Sequence, residues 1–282
     1  MSEIRIRAPK VRANRLQKKL YFFSALAALL IVAAFFSEYL CPYDPYEQNL
    51  ALAKAAPSAE HLLGTDRYGR DMFSRVIAGS FTSIFSTLAL VSFITCFGSV
   101  IGVVCAFSGK WVDTVLMRLS DMFLAFPGLV FALAVAAVLG GGVHNAIFAL
   151  AAISWPKYAR LARSQTLAQQ ELPYIQAARM AGSSSLKIIR KHVMPNIAGP
   201  ILVTAMLDIG TMMIELAGLS FLGLGAKPPI PEWGSMMSDT RNLLATQPWV
   251  TLAPGFAIFA SVMIFNLLGD TVRDWLDPKN RR

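Results

Sequence analysis

Long uncharged runs separated by short charged ones organise this chain. No Asp, Glu, Lys or Arg occurs from Leu20 to Ser37, from Val76 to Gly109, from Met122 to Pro156 or from Asn242 to Gly269. A hydrocarbon core about 30 Å thick needs about 20 apolar residues in helical form, and these runs reach or approach that length. The third is long enough for two spans, with the turn composition of Gly140, Gly141, Gly142, Val143, His144 and Asn145 in its middle. A further stretch, Ile197 to about Leu224, is apolar apart from Asp208 and Glu215. The pattern predicts an all-α polytopic membrane protein with six transmembrane helices, at Leu20–Leu40, Ile84–Phe107, Met122–Leu139, Ala146–Arg163, Ile197–Leu224 and Val250–Leu268.

Composition agrees with a lipid solvent, since 55% of residues are hydrophobic and 15% charged, outside the range of ordinary soluble domains. The net charge of +9 and the basic opening RIRAPKVRANRLQKK raise nucleic acid as a partner. Their placement points elsewhere. Six alternating spans put 20 of the 26 Lys and Arg residues on one side, and cytoplasmic flanks are the ones enriched in these residues. Both the N- and C-termini are therefore predicted to be cytoplasmic. The basic arm reads as a topology anchor touching anionic lipid, with no nucleic acid as partner.

The chain then divides into a cytoplasmic basic arm (1–19), a first transmembrane helix (20–40), an extracytoplasmic segment (41–80) and a core of five helices (81–282). That core contains a cytoplasmic loop at 164–196. No small-residue cleavage site follows Ala34, so the first apolar run is an anchor and not a removed signal peptide. Cys41, Cys96 and Cys105 lack metal-ligand spacing, and no GxxxxGK[ST] phosphate loop is present. If the chain serves active transport, the energy must come from an ion gradient or from another polypeptide.

The cytoplasmic loop bears on that choice. It reads ELPYIQAARMAGSSSLKIIRKHVMPNIAGP. Pro173 suits the first position of a helix and Gly182 the residue just past its end. Ile175, Gln176, Ala177, Ala178 and Met180 form a two-turn helix whose paired alanines leave a smooth face for another protein's groove. Ser185 is placed to cap a second helix, with Leu186, Ile189 and Val193 on one face and Lys187, Arg190 and Lys191 away from it, ended by Pro195. An ordinary amphipathic connector fits the same pattern.

Gln176, Ala177, Ala178, Gly182 and Pro195, at that spacing, resemble the EAA loop of binding-protein-dependent transporter permeases. Gln176, His192 and Met194 stand where the family usually has Glu, Ile and Leu. HLLGTDRYGRDMFSR (His61 to Arg75), LAFPG (Leu124 to Gly128), LSFLGLG (Leu219 to Gly225), Trp233 with Gly234, and FNLLGDTVRDWLDP (Phe265 to Pro278) resemble the dipeptide, oligopeptide and nickel branch. The resemblance implies a permease subunit of an ATP-binding-cassette importer, multi-pass in the cell inner membrane and working by alternating access. Its implied partners are a second homologous permease subunit, two ATP-binding subunits, an extracytoplasmic substrate-binding protein and the lipid bilayer. In that family the loop is the coupling helix that docks in the ATPase. ATP and magnesium then belong to the partner ATPase, and this chain has no catalytic residues and no cofactor of its own.

In the GTD stretch, Thr65 or Asp66 can cap a helix, Gly64 and Gly69 allow tight bends, and Asp66, Arg67, Arg70 and Asp71 can pair locally. A well-tied surface turn is one reading; the resemblance places Asp66, Arg70, Asp71 and Trp233 near the docking binding protein. Pro228, Pro229 and Pro231 stiffen the second outer segment, which continues as a short helix from Ser235 to Leu244, with Trp233 and Trp249 at interface-favoured positions. Asp208 and Glu215, seven residues apart, share roughly one face of the fifth span. An ionisable group in lipid costs about 2.5 kcal/mol or more, so the two face protein or water. They read either as a cation-attracting lining together with Met212 or as anchors between helices. Pro127 is expected to kink the third span.

LDIGTMM around Asp208 and SDMFLAFP at Ser120 to Pro127 resemble the nickel branch more than the peptide branch, although no metal-ligand set is visible. Nickel or a nickel chelate is the expected cargo, with di- or oligopeptides as the alternative. An ion-coupled secondary transporter also fits six spans with buried carboxylates but needs no docking loop. A membrane protease lacks its GxGD, HExxH or GxSxG signature.

Overall fold

A computed structural model describes residues 10–276, and every regular element among them is a helix apart from one isolated bridge between Thr65 and Asp71. Residues 1–9 of the basic arm and 277–282, with Pro278 of the C-terminal motif, lie outside the described residues. α1 (Lys10–Phe35) carries the rest of the arm into the first span without a break, and α2 (Ser37–Leu40) completes it. α1 leans on α11 and α3, burying little beyond Ala27 and Ala34.

α3 (Met72–Phe107) begins twelve residues before the expected Ile84 and runs straight through the boundary set at 80/81. Its start is fixed by Asp71, whose Oδ2 accepts from the Ser74 N–H and hydroxyl, both at 2.7 Å; the expected caps Thr65 and Asp66 lie upstream of it. At 36 residues the helix is about 54 Å long. Gly98 and Gly102 form a GxxxG pair against α6. A Cβ at Gly98 would lie 2.5 Å from the Trp155 carbonyl oxygen, and one at Gly102 within 2.8 Å of the Arg163 nitrogen. Small residues let two helix backbones approach this closely where lipid offers no competing hydrophobic drive. The α3–α6 contact is the most extensive in the fold.

The third span differs from expectation. Met122–Leu139 is not one helix: Met122 to Leu124 end α4 (Lys110–Leu124), and α5 (Gly128–Val138) departs at 91° after a three-residue break. Pro127 sits at the N-cap of α5, where its missing N–H costs nothing. α5, at 11 residues, is only about 16 Å long and cannot cross a bilayer unaided. Among the described residues four helical stretches are long and apolar enough to do so (Leu16–Phe35, Met72–Phe107, Ser185–Phe221 and Pro248–Leu276), or five if α4 and α5 count as one. α6 (Val143–Gln170) has the length but carries Lys157, Arg160 and Arg163. It is sheathed by α3, α5 and α9.

After α7 (Pro173–Met180) the chain enters one continuous helical stretch. α8 (Ser185–Ile188) passes through a π turn at Ile189–Val193 into α9 (Met194–Phe221). Two expectations are corrected here. Ser184, not Ser185, caps α8 by accepting from the Lys187 N–H. Pro195 does not end a helix but lies in the first turn of α9, just past the wider turn that absorbs its missing donor. The extra residue of that turn also shifts the buried face, so Ile188, Val193 and Ile197 are buried while Leu186 is exposed. α10 (Trp233–Thr240), a 3₁₀ turn at Arg241–Leu243 and α11 (Pro248–Leu276) close the fold. α10 begins two residues before the expected Ser235. Buried side chains form one cluster among α3, α5, α6, α7 and α9 and a second among α1, α3, α10 and α11.

Candidate functional site

α7 is a short helix anchored by one side chain. Pro173 occupies its first turn after Leu172, and Gly182 lies just past its end at φ +75°. The Gly182 N–H donates to the Arg179 carbonyl at 3.0 Å and the Ser183 N–H to that of Ala178 at 3.1 Å, so the helix terminates on a left-handed residue. Ile175 is fully buried and Ala178 packs beside it. Gln176 and Ala177 face outward, and Met180 is 90% exposed. Polar ties hold both flanks. Arg179 donates to Gln170 Oε1 at 2.8 Å, Tyr174 to Gln169 Oε1 at 2.6 Å, and Asn196 Nδ2 to the Tyr174 hydroxyl at 3.2 Å. α7 is thus clamped to the end of α6 and the start of α9.

Those two helices meet at a charged seam. Lys157 Nζ donates to both oxygens of Asp208 at 2.6 and 2.8 Å, and the buried Tyr158 hydroxyl donates to Oδ2 at 2.8 Å. Farther along α6, Arg160 pairs with Asp121 and Arg163 binds Asp113 through two nitrogens. Three basic residues of one helix thereby hold acids of α9 and α4. Sequence reasoning missed Lys157, Arg160 and Arg163 as site residues because it counted them as topology signals; their spacing of three was the available clue.

The structure places Asp208 at a helix–helix anchor, with its charge met by Lys157. Glu215 is half-buried and makes no ion pair among the described residues, while Met212 is buried with its Sδ 3.9 Å from the Ser154 hydroxyl. Gly210 permits a close approach, its Cβ position lying 2.9 Å from Asn266 Cγ of α11, whereas Gly218 meets nothing. Among the described residues no group of three or more His, Cys, Asp or Glu is arranged to hold a metal ion.

Asp66, Arg70, Asp71 and Trp233, which the resemblance sets near a docking binding protein, are each only 3–4% exposed in this chain. Asp66 accepts from the Arg70 N–H at 3.0 Å and Arg70 Nε at 2.6 Å, and Asp71 from His61 Nδ1 at 2.9 Å. Arg75 donates to the Pro45 carbonyl at 2.8 Å, and Arg67 reaches Asp239 at 3.5 Å. Gly64 and Gly69 take the positive φ their bends require, +67° and +75°. Trp233 Nε1 donates to the Val76 carbonyl at 2.8 Å, and Glu232, which sequence reasoning overlooked, caps α10 by accepting from Gly234 and Ser235, each at 2.9 Å. Buried charges persist only when paired and hydrogen-bonded, so this network knots the segment before α3 to that helix.

This arrangement of helices has a counterpart among solved structures. It matches a chain of the MetNI methionine ABC transporter, solved in inward-facing conformations, with a TM-score of 0.59 at 18% identity over 73% of this chain and 98% of that one. The chain belongs to the family described as binding-protein-dependent transport system inner membrane component, whose profile matches residues 98–282. Its relatives are permeases of different transport systems. The dipeptide transport system permease protein DppC of Alkalihalophilus pseudofirmus is 40% identical, over 90% of this chain and 86% of that protein. The glutathione permease GsiD of Pectobacterium atrosepticum is 41% identical over 89% and 84%. The nickel permease NikC of Escherichia coli K12 is 41% identical over 90% and 91%. This chain is therefore a multi-pass inner-membrane permease.

Proposed function

We propose that this chain is one half of the translocation path of an ATP-driven importer, paired with a second, related permease. Two ATP-binding subunits beneath it bind ATP and magnesium, and a substrate-binding protein delivers cargo from above. Both termini face the cytoplasm. The observation that carries the reading is α7: an eight-residue helix, anchored by Ile175 and ended by Gly182, that offers Gln176, Ala177 and Met180 to a groove. Closure of the ATPase pair pushes α7, and its clamps to α6 and α9 turn that push into a change of access.

Nickel or a nickel chelate remains the cargo that the stretch around Asp208 favours by resemblance. Peptides are the second reading, favoured by the Lys157–Asp208 pair, which removes a free carboxylate from the fifth span. Uptake of radioactive nickel, with and without histidine, is compared with uptake of a labelled dipeptide in cells carrying or lacking this chain with its partner subunits. ATP-dependent entry of one cargo, lost with the chain, assigns it; entry of neither refutes both.

A further inference from the structure

The seam on α6 is exposed where a buried helix has little reason to be. Trp155, Pro156, Tyr158, Ala159, Ala162 and Thr166 of α6 are buried, yet Lys157, Arg160 and Ser164 form an open stripe. Lys157 and Arg160 keep 54% and 46% of their side chains exposed, and Asp121 keeps 51%. Ionised groups facing hydrocarbon cost about 2.5 kcal/mol or more each, so the stripe meets water. It borders a cavity of about 480 Å³ between α4 and α6, whose walls include Asp113, Arg118, Asp121, Arg160, Arg163 and Ser164. Both aspartates are neutralised by Arg160 and Arg163. Arg118 is exposed and makes no ion pair among the described residues, which leaves the cavity one net positive charge.

Resting on the reading of the chain as an importer's permease half, we infer that this cavity is a water-filled vestibule on the transport path that attracts carboxylate groups carried by the cargo. Arg118 supplies an unpaired guanidinium. Arg160, half-exposed, exchanges Asp121 for the carboxylate of a passing solute. A guanidinium fork offers a carboxylate two parallel N–H···O bonds, which a point charge does not. With both aspartates paired, the unpaired Arg118 gives the cleft a net positive charge, and a net charge in a cleft concentrates the opposite ion. A bare divalent cation meets a positive wall here, whereas the terminal carboxylate of a peptide and the carboxylates of a metal chelator present the same recognised group.

The test uses the complete transporter in membranes, with Cys41, Cys96 and Cys105 replaced by alanine and Ser164→Cys as the single thiol. Labelling rates with an anionic and a cationic methanethiosulfonate reagent are each divided by the rate on a free thiol. The anionic reagent is expected to win by about tenfold when applied from the side bearing α7, since focusing of this kind raises local ion concentration by that order. Arg118→Gln should bring the ratio close to one, and Arg118→Lys should keep most of it. Equal rates, or no labelling from that side, overturn the inference. In the same preparation, ATP-driven uptake of a dipeptide is compared with that of its C-terminal amide, and uptake of a nickel–histidine complex with that of nickel alone. Arg160→Gln should slow the carboxylate-bearing cargo about tenfold, the loss of one charge-assisted hydrogen bond, and leave the amide unchanged. Equal slowing of both members of a pair counts against the role of Arg160. Uptake of none of the four defeats the importer reading, while the thiol labelling still decides the vestibule.

Discussion

Gly182 offers a clean separation of backbone strain from steric clash. Its φ is +75°, and a Cβ built on it meets nothing within 4 Å, so a side chain there is opposed by conformation alone. The left-handed region costs an ordinary L-residue roughly 1–2 kcal/mol, most for a β-branched one, while Asn tolerates it far better. That strain falls on the last turn of α7, where Ala181, Gly182 and Ser183 donate to the carbonyls of Ala177, Arg179 and Ala178 at 2.9, 3.0 and 3.1 Å. With Ile175 the one buried side chain of α7 and the Arg179–Gln170 tie on its flank, the shape of the turn itself rests on these three bonds. A cost near 1.4 kcal/mol is about a tenfold loss of the formed turn. Gly182→Val should therefore lower uptake per ATP hydrolysed by about tenfold, with membrane insertion and ATPase association intact. Gly182→Asn should stay within about twofold of the parent. ATP hydrolysis and cargo uptake, measured together in proteoliposomes, decide the matter. Equal coupling in the Val and Asn variants would refute the argument that a left-handed residue sets the coupling face.

Three further outcomes follow from the packing. Gly102→Ala puts a methyl against the Ala159 carbonyl and within 2.8 Å of the Arg163 nitrogen, and overpacking of this kind costs about 1–3 kcal/mol; Gly218→Ala meets nothing and should be neutral or stabilising, so thermal unfolding of the two purified variants should differ in sign or clearly in size. Asp208→Asn keeps an acceptor for the Tyr158 hydroxyl but loses the Lys157 charge pair. It should lower thermal stability by about 1–2 kcal/mol, the range of interhelical polar contacts in membranes, and an unchanged transition would show that Lys157 is as well satisfied by water. Asp71→Ala removes the α3 cap and the His61 contact; a loss of about 1–2 kcal/mol should appear as faster proteolysis between Cys41 and Asp71, and resistance equal to the parent would sink it.

What the order of residues decided was local. Pro173 and Gly182 delimit α7 because a missing donor and a missing Cβ act on their own turn and need no distant partner. Uncharged runs marked the long helices because lipid length imposes a run of that size whatever the neighbours are. α4 escaped because Asp113, Arg118 and Asp121 interrupt its apolar pattern and read as a loop; only packing shows two of those charges answered by Arg160 and Arg163 of α6. Lys157 passed as a topology signal for the same reason, its partner Asp208 lying 51 residues away. Asp66, Arg70 and Asp71 looked like surface groups, since a charge is cheap in water. Their burial rests on the Asp66–Arg70 pair and on His61 and Ser74 at Asp71, brought together by the turns at Gly64 and Gly69. Pairing over such distances depends on where the helices cross, and crossing is set by side-chain volumes such as the absent ones at Gly98 and Gly102. Chain order specified the pieces and the ends of α7, and tertiary contact alone decided which charges are buried, which are matched and which are left open to water.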